Sequence, residues 1–425
     1  MRHPSYRTLS VIPGLLLAAV LATPAFAAKC IDCHEGITPG VVQDWRTSKH
    51  AQEDIGCDSC HKGQHRSSRD VGNLVTVTAQ TCAGCHEKQM TQFSAGKHAL
   101  AWAAYKAMPT THALPMAMGP GMKGCGGCHK LGLKGDAEIA QLKAQGSTFG
   151  HASCDACHTR HAFSKIEARQ PQACQTCHMG FDHPQWEMYS ASKHGVRALL
   201  KQNGTLPSNV IGPRCQDCHM VDGNHEVRTA WGFLAVRLPF PKDPQWKADQ
   251  ITILQALGVL DMDGNPTARL EVVKAADVAR LTQEAFDHER NKMVAVCSNC
   301  HSANFARGEL AKGDDMIREA DHLLAQAIRI IAGLYEDGLI PKPDNYALPF
   351  PDLLTFHDAP TAIEQRLFEM HLKHRMRAFQ GTFHANPDYA LWYGWSEMVR
   401  DLQEIKEMAA ELRGQRDGSA VASAR

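Results

Sequence analysis

The sequence predicts a mainly α-helical protein in two parts, with short helices and loops up to about residue 225 and a bundle of long helices after it. Three observations predict this. All 16 cysteines fall in one repeated five-residue pattern, C-x-x-C-H, and seven of its eight copies lie before residue 225. Aromatic residues make up only 7% of a 425-residue chain, a thin supply of large core side chains. From about residue 267 apolar residues recur with helical spacing. The length suits one large domain or two to three ordinary ones. Lys+Arg and Asp+Glu are both 45, with no basic run, which argues against a nucleic-acid partner.

The first 27 residues read as a secretory leader. Arg2 and Arg7 give a basic start, Leu9 to Ala22 is apolar apart from Pro13-Gly14, and Ala25-Phe26-Ala27 is a cleavage site of the A-x-A kind. The expected cut follows Ala27, and the expected compartment is the periplasm. An uncleaved membrane anchor is the alternative, although the apolar run is short for a spanning helix. No later stretch is long and apolar enough to span a bilayer.

The pentads carry the chemistry. They begin at Cys30, Cys57, Cys82, Cys125, Cys154, Cys174, Cys215 and Cys297, with second thiols at Cys33, Cys60, Cys85, Cys128, Cys157, Cys177, Cys218 and Cys300. The histidines that follow are His34, His61, His86, His129, His158, His178, His219 and His301. Two thiols three positions apart reach the two vinyl groups of one porphyrin and form thioethers. The next residue then turns its imidazole onto the iron. Eight such pentads predict eight covalently bound c-type haems. Zinc held by paired C-x-x-C units and disulfides are the alternatives. Neither explains a histidine after every pair.

Each iron has a second axial position. A second imidazole closes it and makes an electron relay; an open position can take substrate. Of 24 histidines, eight are proximal and His3 belongs to the leader. His50 and His194 share the context Ser-Lys-His, and His98 follows Gly-Lys. His65, His161 and His225 lie just past pentads, and His384 sits in His-Ala-Asn-Pro near the end. These are seven distal candidates. His112, His151, His183 and His288 compete with them.

Residues 28–225 form the expected haem-rich domain. The pentads are spaced too unevenly for a solenoid. Residues 226–265 read as a proline-containing linker at the start of the 226–425 C-terminal domain. Helices are expected from Ala268 to Met293, over residues 314–336 with Ile317, Leu324, Ile328 and Ile331 on one face, from Ala359-Pro360-Thr361 through the Leu372 to Phe379 stretch, and from Pro387 to about Leu412. They pack on each other or form a subunit interface. The tail from Gly414 reads as disordered.

The order and surroundings of the pentads resemble the octahaem hydroxylamine oxidoreductases over nearly the whole mature chain. The most specific stretch runs from Cys154 to His161 (Cys-Asp-Ala-Cys-His-Thr-Arg-His), through Cys174 to His178, to Gly180-Phe181-Asp182-His183 and Ser192-Lys193-His194-Gly195. Asn304-Phe305-Ala306-Arg307, Tyr335-Glu336-Asp337-Gly338 and His384-Ala385-Asn386-Pro387 add to it. The resemblance implies a multihaem cytochrome c fold and a homotrimer. It implies a catalytic fourth haem on Cys125, Cys128 and His129, seven bis-histidine haems, and Asp182 with His183 over the open face. It also implies a quinol-linked or soluble periplasmic cytochrome c as electron partner. A carboxylate beside an imidazole suits proton delivery to nitrite or hydroxylamine.

The chain departs from the oxidative members at a tyrosine. These members cross-link a C-terminal tyrosine of a neighbouring subunit to the catalytic porphyrin. Here that position falls on Leu391 or Trp392, with Tyr389 and Tyr393 out of register. A second family tyrosine is replaced within Trp231-Gly232-Phe233-Leu234. A C-terminal membrane segment, which some oxidative members carry, is not expected. The resemblance therefore implies a reductive enzyme that takes nitrite or hydroxylamine to ammonium. The alternatives are hydroxylamine oxidation to nitric oxide or nitrite, which needs Tyr389 or Tyr393 as the cross-link, and a pure electron carrier. The mass of the mature holoprotein is expected to exceed that of the polypeptide by eight haems, and a ratio well below eight by pyridine haemochrome would contradict the pentad assignment.

Overall fold

A computed structural model describes residues 25–63, 65–108, 124–147, 150–355 and 359–423. The expected leader up to residue 24, and His112, lie outside the described residues. The fold is mainly helical, and the described residues contain two isolated β-bridges, Arg237 to Arg280 and Leu260 to Pro266. The chain forms two compact units: Met1–Val75 with Arg160–Ala162, and Thr76–Thr159 with Phe163–Arg425.

In the first unit, α1 (Ala25–Ile37) carries the first pentad and α2 (Pro39–Thr47) follows it. Proline opens α2, where its missing N–H costs nothing. Ile31 and Val42 pack with Trp45 between the two helices. The Trp45 indole N–H donates to the Ile55 carbonyl at 3.0 Å.

The second unit holds the main core, which is built on long helices. α3 (Pro244–Ala256), α4 (Gln283–Cys297) and α5 (Ala303–Glu336) are followed by α6 (Ala362–Glu369), a π-helical turn at Met370–Arg375, and α7 (Met376–Phe383). A second π turn at Leu391–Trp395 leads into α8 (Ser396–Ser423). On α5, Ile317, Leu324, Ile328 and Ile331 are all fully buried, so the apolar stripe expected from the sequence is the face that packs. Leu324, Ile328 and Ile331 meet Ile253 and Leu254 of α3, Ile363 and Leu367 of α6, and Met398 and Ile405 of α8 in one cluster.

Local signals explain the helix ends. The Thr361 side chain accepts from the Glu364 N–H while Glu364 accepts from the Thr361 N–H, a capping box at the expected start of α6. Ser302 caps α5 by accepting from the Phe305 N–H at 3.2 Å. α4 ends at Cys297 and α5 begins at Ala303, so the eighth pentad sits in the joint between two long helices.

Three readings of the sequence are corrected. Residues 226–265 are not all linker: α3 lies within them, capped by Asp243 with Pro244 at its first position. The helix expected from Ala268 to Met293 is two, Arg269–Ala275 and α4, because the chain turns through Asp277 at φ +48°. The backbone past Gly414 stays helical to Ser423 rather than disordered.

A buried charge pair ties three of these helices together. The Arg375 guanidinium donates to Asp321 Oδ1 through Nε at 3.0 Å and Nη2 at 2.6 Å. Asp321 Oδ2 accepts from the Trp246 indole at 2.8 Å and from Gln250 at 3.3 Å. Every charge in the pair is thereby paired and hydrogen-bonded, as burial demands. On the apolar side, Leu324→Ala or Ile328→Ala is expected to destabilise the holoprotein by ~2–5 kcal/mol, because a cavity replaces a packed side chain. Val272→Ala, at an exposed site, should stay within about 0.5 kcal/mol. Guanidinium denaturation read by far-ultraviolet circular dichroism checks the ranking, and equal shifts would contradict this packing.

Candidate functional site: paired imidazoles and the distal face of His129

The pentads adopt the conformation their chemistry needs. Cys57–His61, Cys125–His129 and Cys215–His219 are each a single five-residue helical turn. Residues three apart on a helix lie on one face, so both thiols of a pentad point the same way. None of the sixteen cysteines is paired in a disulfide. Thiols of different pentads also face one another: Cys82 with Cys154, Cys128 with Cys177, and Cys174 with Cys215. This sets groups held by these pentads side by side in the second unit.

The distal candidates come to the pentad histidines. In the first unit the ring centroids of His34 and His65 are 5.8 Å apart, and those of His61 and His161 are 6.3 Å apart. In the second unit the separations are 6.0 Å for His98 and His178, 6.3 Å for His158 and His225, 6.2 Å for His194 and His301, and 6.5 Å for His219 and His384. An imidazole nitrogen binds a metal at about 2 Å, and the ring centre lies ~1 Å further, so two imidazoles across one metal have centroids roughly 6 Å apart. The six pairs therefore have the spacing that one iron between each would set. His50 belongs to the first unit and His86 to the second.

Two further observations fit haem. Burial holds the imidazoles in the neutral, ligating form: it lowers His178 to about 3 and His219 to about 4, and it also lowers His98, His194, His225 and His384. Several imidazoles also have Nδ1 engaged, which leaves Nε2 for a metal. His34 Nδ1 meets Thr38 Oγ1 at 2.8 Å, His65 Nδ1 meets the Ser67 carbonyl at 3.1 Å, and His384 Nδ1 meets the Gln380 carbonyl at 2.8 Å. His178 Nδ1 meets Gln185 Oε1 at 3.2 Å, and Gln185 donates in turn to Gln380 Oε1 at 2.8 Å. A directly bound metal such as zinc would need three or more protein ligands together. Among the described residues no such group of His, Cys, Asp or Glu is found.

Local sequence places the distal histidines. Ser48 and Ser192 each cap a helix, accepting from the N–H three residues on, so the histidine of Ser-Lys-His is the second helical residue in both cases. Gly195 follows because a side chain there would collide with the Tyr189 carbonyl, 1.9 Å from where its Cβ would stand. Gly96, before Lys97-His98, packs on the backbone of residues 225–227, where a Cβ would stand 2.9 Å from the Val227 nitrogen.

His129 differs from the other pentad histidines in what faces it. Its Nδ1 meets the Ala101 carbonyl at 3.0 Å. His183 faces His129 with ring centroids 6.4 Å apart and planes at 79°, and lies 6.0 Å from the ring of His178 as well. His183 Nδ1 lies 3.1 Å from Asp182 Oδ1, a carboxylate where the other pairs use carbonyl, hydroxyl or amide groups. Partial burial raises the Asp182 carboxyl, but the hydrogen bond and charge of His183 outweigh it and hold the group below the usual range. The other face of His183 stacks on Phe233, centroid to centroid at 4.4 Å and nearly parallel at 7°. The sequence offers His183 both as a competing distal ligand and, by resemblance, with Asp182 over the open face, and Phe233 only within the segment that lacks a family tyrosine, so the stack itself was not foreseen. Of the remaining competitors, His151 is buried against the Ser147 carbonyl and His288 is exposed on α4. The rings of Tyr389 and Tyr393 meet at 5.1 Å with their planes tilted by 37°, and Leu391, Trp392 and Tyr393 are exposed.

Comparison with known proteins bears on the family and the fold. The family described as "Seven times multi-haem cytochrome CxxCH" matches residues 52–230 and 268–345, and "Cytochrome c554 and c-prime" matches residues 19–62. A curated relative from Kuenenia stuttgartiensis, named a probable nitrite reductase-hydroxylamine oxidoreductase fusion protein, is 26% identical over 490 residues. That match takes in 92% of this chain, which spans about half, 52%, of the relative. The solved reducing HAO-like protein complex of Kuenenia stuttgartiensis is similar with a TM-score of 0.66 and 25% identity, over 93% of this chain and 87% of that one. A structure described as a hypothetical multiheme protein shares the fold, with a TM-score of 0.64 and 20% identity over 93% and 97% of the two chains. With its CxxCH pentads and this helical fold, the chain belongs to the multihaem CxxCH cytochromes.

Proposed function

We propose that the chain is an exported octahaem enzyme that reduces nitrite or hydroxylamine to ammonium at the haem of His129. The observation that carries this reading is the Asp182–His183 pair set opposite His129, a proton-carrying couple where the other pairs present an imidazole alone. Bound c-type haem supplies iron coordination and electron transfer. The chain supplies the rest. Cys125 and Cys128 tether the group, and the Ala101 carbonyl orients His129. Asp182 favours the proton on His183 Nδ1 and stabilises the imidazolium, so that Nε2 can pass a proton to a bound nitrogen oxyanion or hydroxylamine. Paired imidazoles close the relay haems and keep substrate off them.

The reductive direction is supported by Leu391 and Trp392 at the position of the family's cross-linking tyrosine, and by the similarity to a complex described as reducing. A tyrosine–porphyrin adduct at Tyr389 or Tyr393 would mark the oxidative alternative. Export rests on the leader alone. A homotrimer and a quinol-linked or soluble cytochrome c partner rest on the resemblance.

One observation favours a second reading, a carrier with every iron six-coordinate: the 6.4 Å between His129 and His183 equals the spacing of the closed pairs. Carbon monoxide separates the two. The reduced protein is expected to bind one equivalent, and none if His183 ligates iron. His225→Ala, which opens the haem of His158, should add a second equivalent. Asp182→Asn should lower kcat with nitrite or hydroxylamine by about 10²-fold or more, the usual scale of acid–base assistance, with haem content unchanged. Unchanged turnover in that variant would remove Asp182 from the mechanism.

A further inference from the structure

We propose that Phe233 is a positioning residue for His183, and that its ring is held in place by a buried polar network reaching in from the C-terminal helices. The inference deepens the reading of the His129 haem as the reaction site and rests on it.

The stack is close and flat, at 4.4 Å and 7°. A histidine side chain has a broad χ2 torsion, so a hydrogen bond at one nitrogen leaves the ring free to swing about that contact. Asp182 holds Nδ1 at 3.1 Å. Phe233 holds the plane. Together they fix where Nε2 lies, which is what a proton donor needs, because small displacements at a reacting centre cost large factors in rate.

The platform under Phe233 is rigid for identifiable reasons. On one side the Trp231 indole donates to Asp314 Oδ1 at 2.7 Å, and Arg290 donates to the same oxygen at 2.5 Å. Gly232 lies so close to the Val278 carbonyl that a Cβ would stand 2.0 Å from its oxygen. On the other side the Leu234 and Ala235 carbonyls accept from Arg375 at 2.6 and 3.1 Å. Ala235 is fully buried and takes φ +50°, a conformation an alanine holds only under constraint. Arg375 is fixed by Asp321, and Asp321 by Trp246 and Gln250. A buried ion pair adds little net stability over apolar packing. Here it directs two carbonyls immediately after Phe233, and so aims the ring.

The test uses the reduced holoprotein with carbon monoxide. The infrared C–O stretch reports the surroundings of the distal face and does not depend on turnover. The wild type should show one narrow band. Phe233→Leu keeps apolar bulk but loses the flat ring; it should keep haem content and the carbon monoxide equivalent, split or broaden the band, and lower kcat about ten-fold or more with KM within a factor of about two. Phe233→Tyr keeps the ring and should restore a single narrow band and most of kcat. A wild-type band in Phe233→Leu, or a Phe233→Tyr that behaves like it, overturns the positioning role and leaves the open-haem reading standing. A wild type that binds no carbon monoxide overturns both. If Phe233→Leu loses haem, Phe233→Met takes its place with the same two outcomes.

Discussion

Two imidazoles can share one iron only if their ring centres stand about 6 Å apart and both present a free nitrogen. That constraint organises much of the molecule. Pentad histidines meet it locally, because a five-residue turn sets thiols and imidazole in fixed relation. Distal histidines meet it from elsewhere in the chain, on helix starts capped by serine, on close-packed glycine turns, or just past another pentad. Burial favours the neutral form of His98, His178, His219 and His384 among them, and side-chain or carbonyl partners on Nδ1 turn the Nε2 of several inward. Short helices suffice in this part of the chain because the groups they hold supply the apolar mass that their side chains lack.

The long C-terminal helices do different work. Their own buried core is apolar and rich in Leu and Ile. One fully buried charge pair, Arg375 with Asp321, interrupts the apolar packing and reaches back toward the segment beside His183. The helical bundle therefore reaches the candidate site through hydrogen bonds to the Leu234 and Ala235 carbonyls, and through Gln380, which accepts from Gln185 beside His178.

The pentads were legible because thioether chemistry is local in sequence. The apolar stripe of α5 was legible for the same kind of reason, since one face repeats from Ile317 to Ile331, about four turns. His98 with His178 and His219 with His384 depend on tertiary folding, yet the Gly-Lys-His and His-Ala-Asn-Pro contexts already singled out His98 and His384. α3 escaped notice because the residues it buries include Asp249, Gln250, Thr252 and Gln255, so no clean apolar face shows in the sequence. The turn at Asp277 was hidden inside a helical pattern, and nothing in Phe233 itself announced the ring it would stack on. Arg375 carried no signal of its own, being one of several basic residues between Leu372 and Phe379, and only its burial against Asp321 marks it as a structural clamp.

The central claim, that facing imidazoles hold the irons of this protein, is open to one direct measurement. Near-infrared magnetic circular dichroism of the oxidised holoprotein distinguishes axial ligand sets by the position of a charge-transfer band. The account predicts that bis-imidazole haems dominate the spectrum, accompanied by a minority component of different ligation. A spectrum dominated by methionine, lysine or water ligation would contradict it.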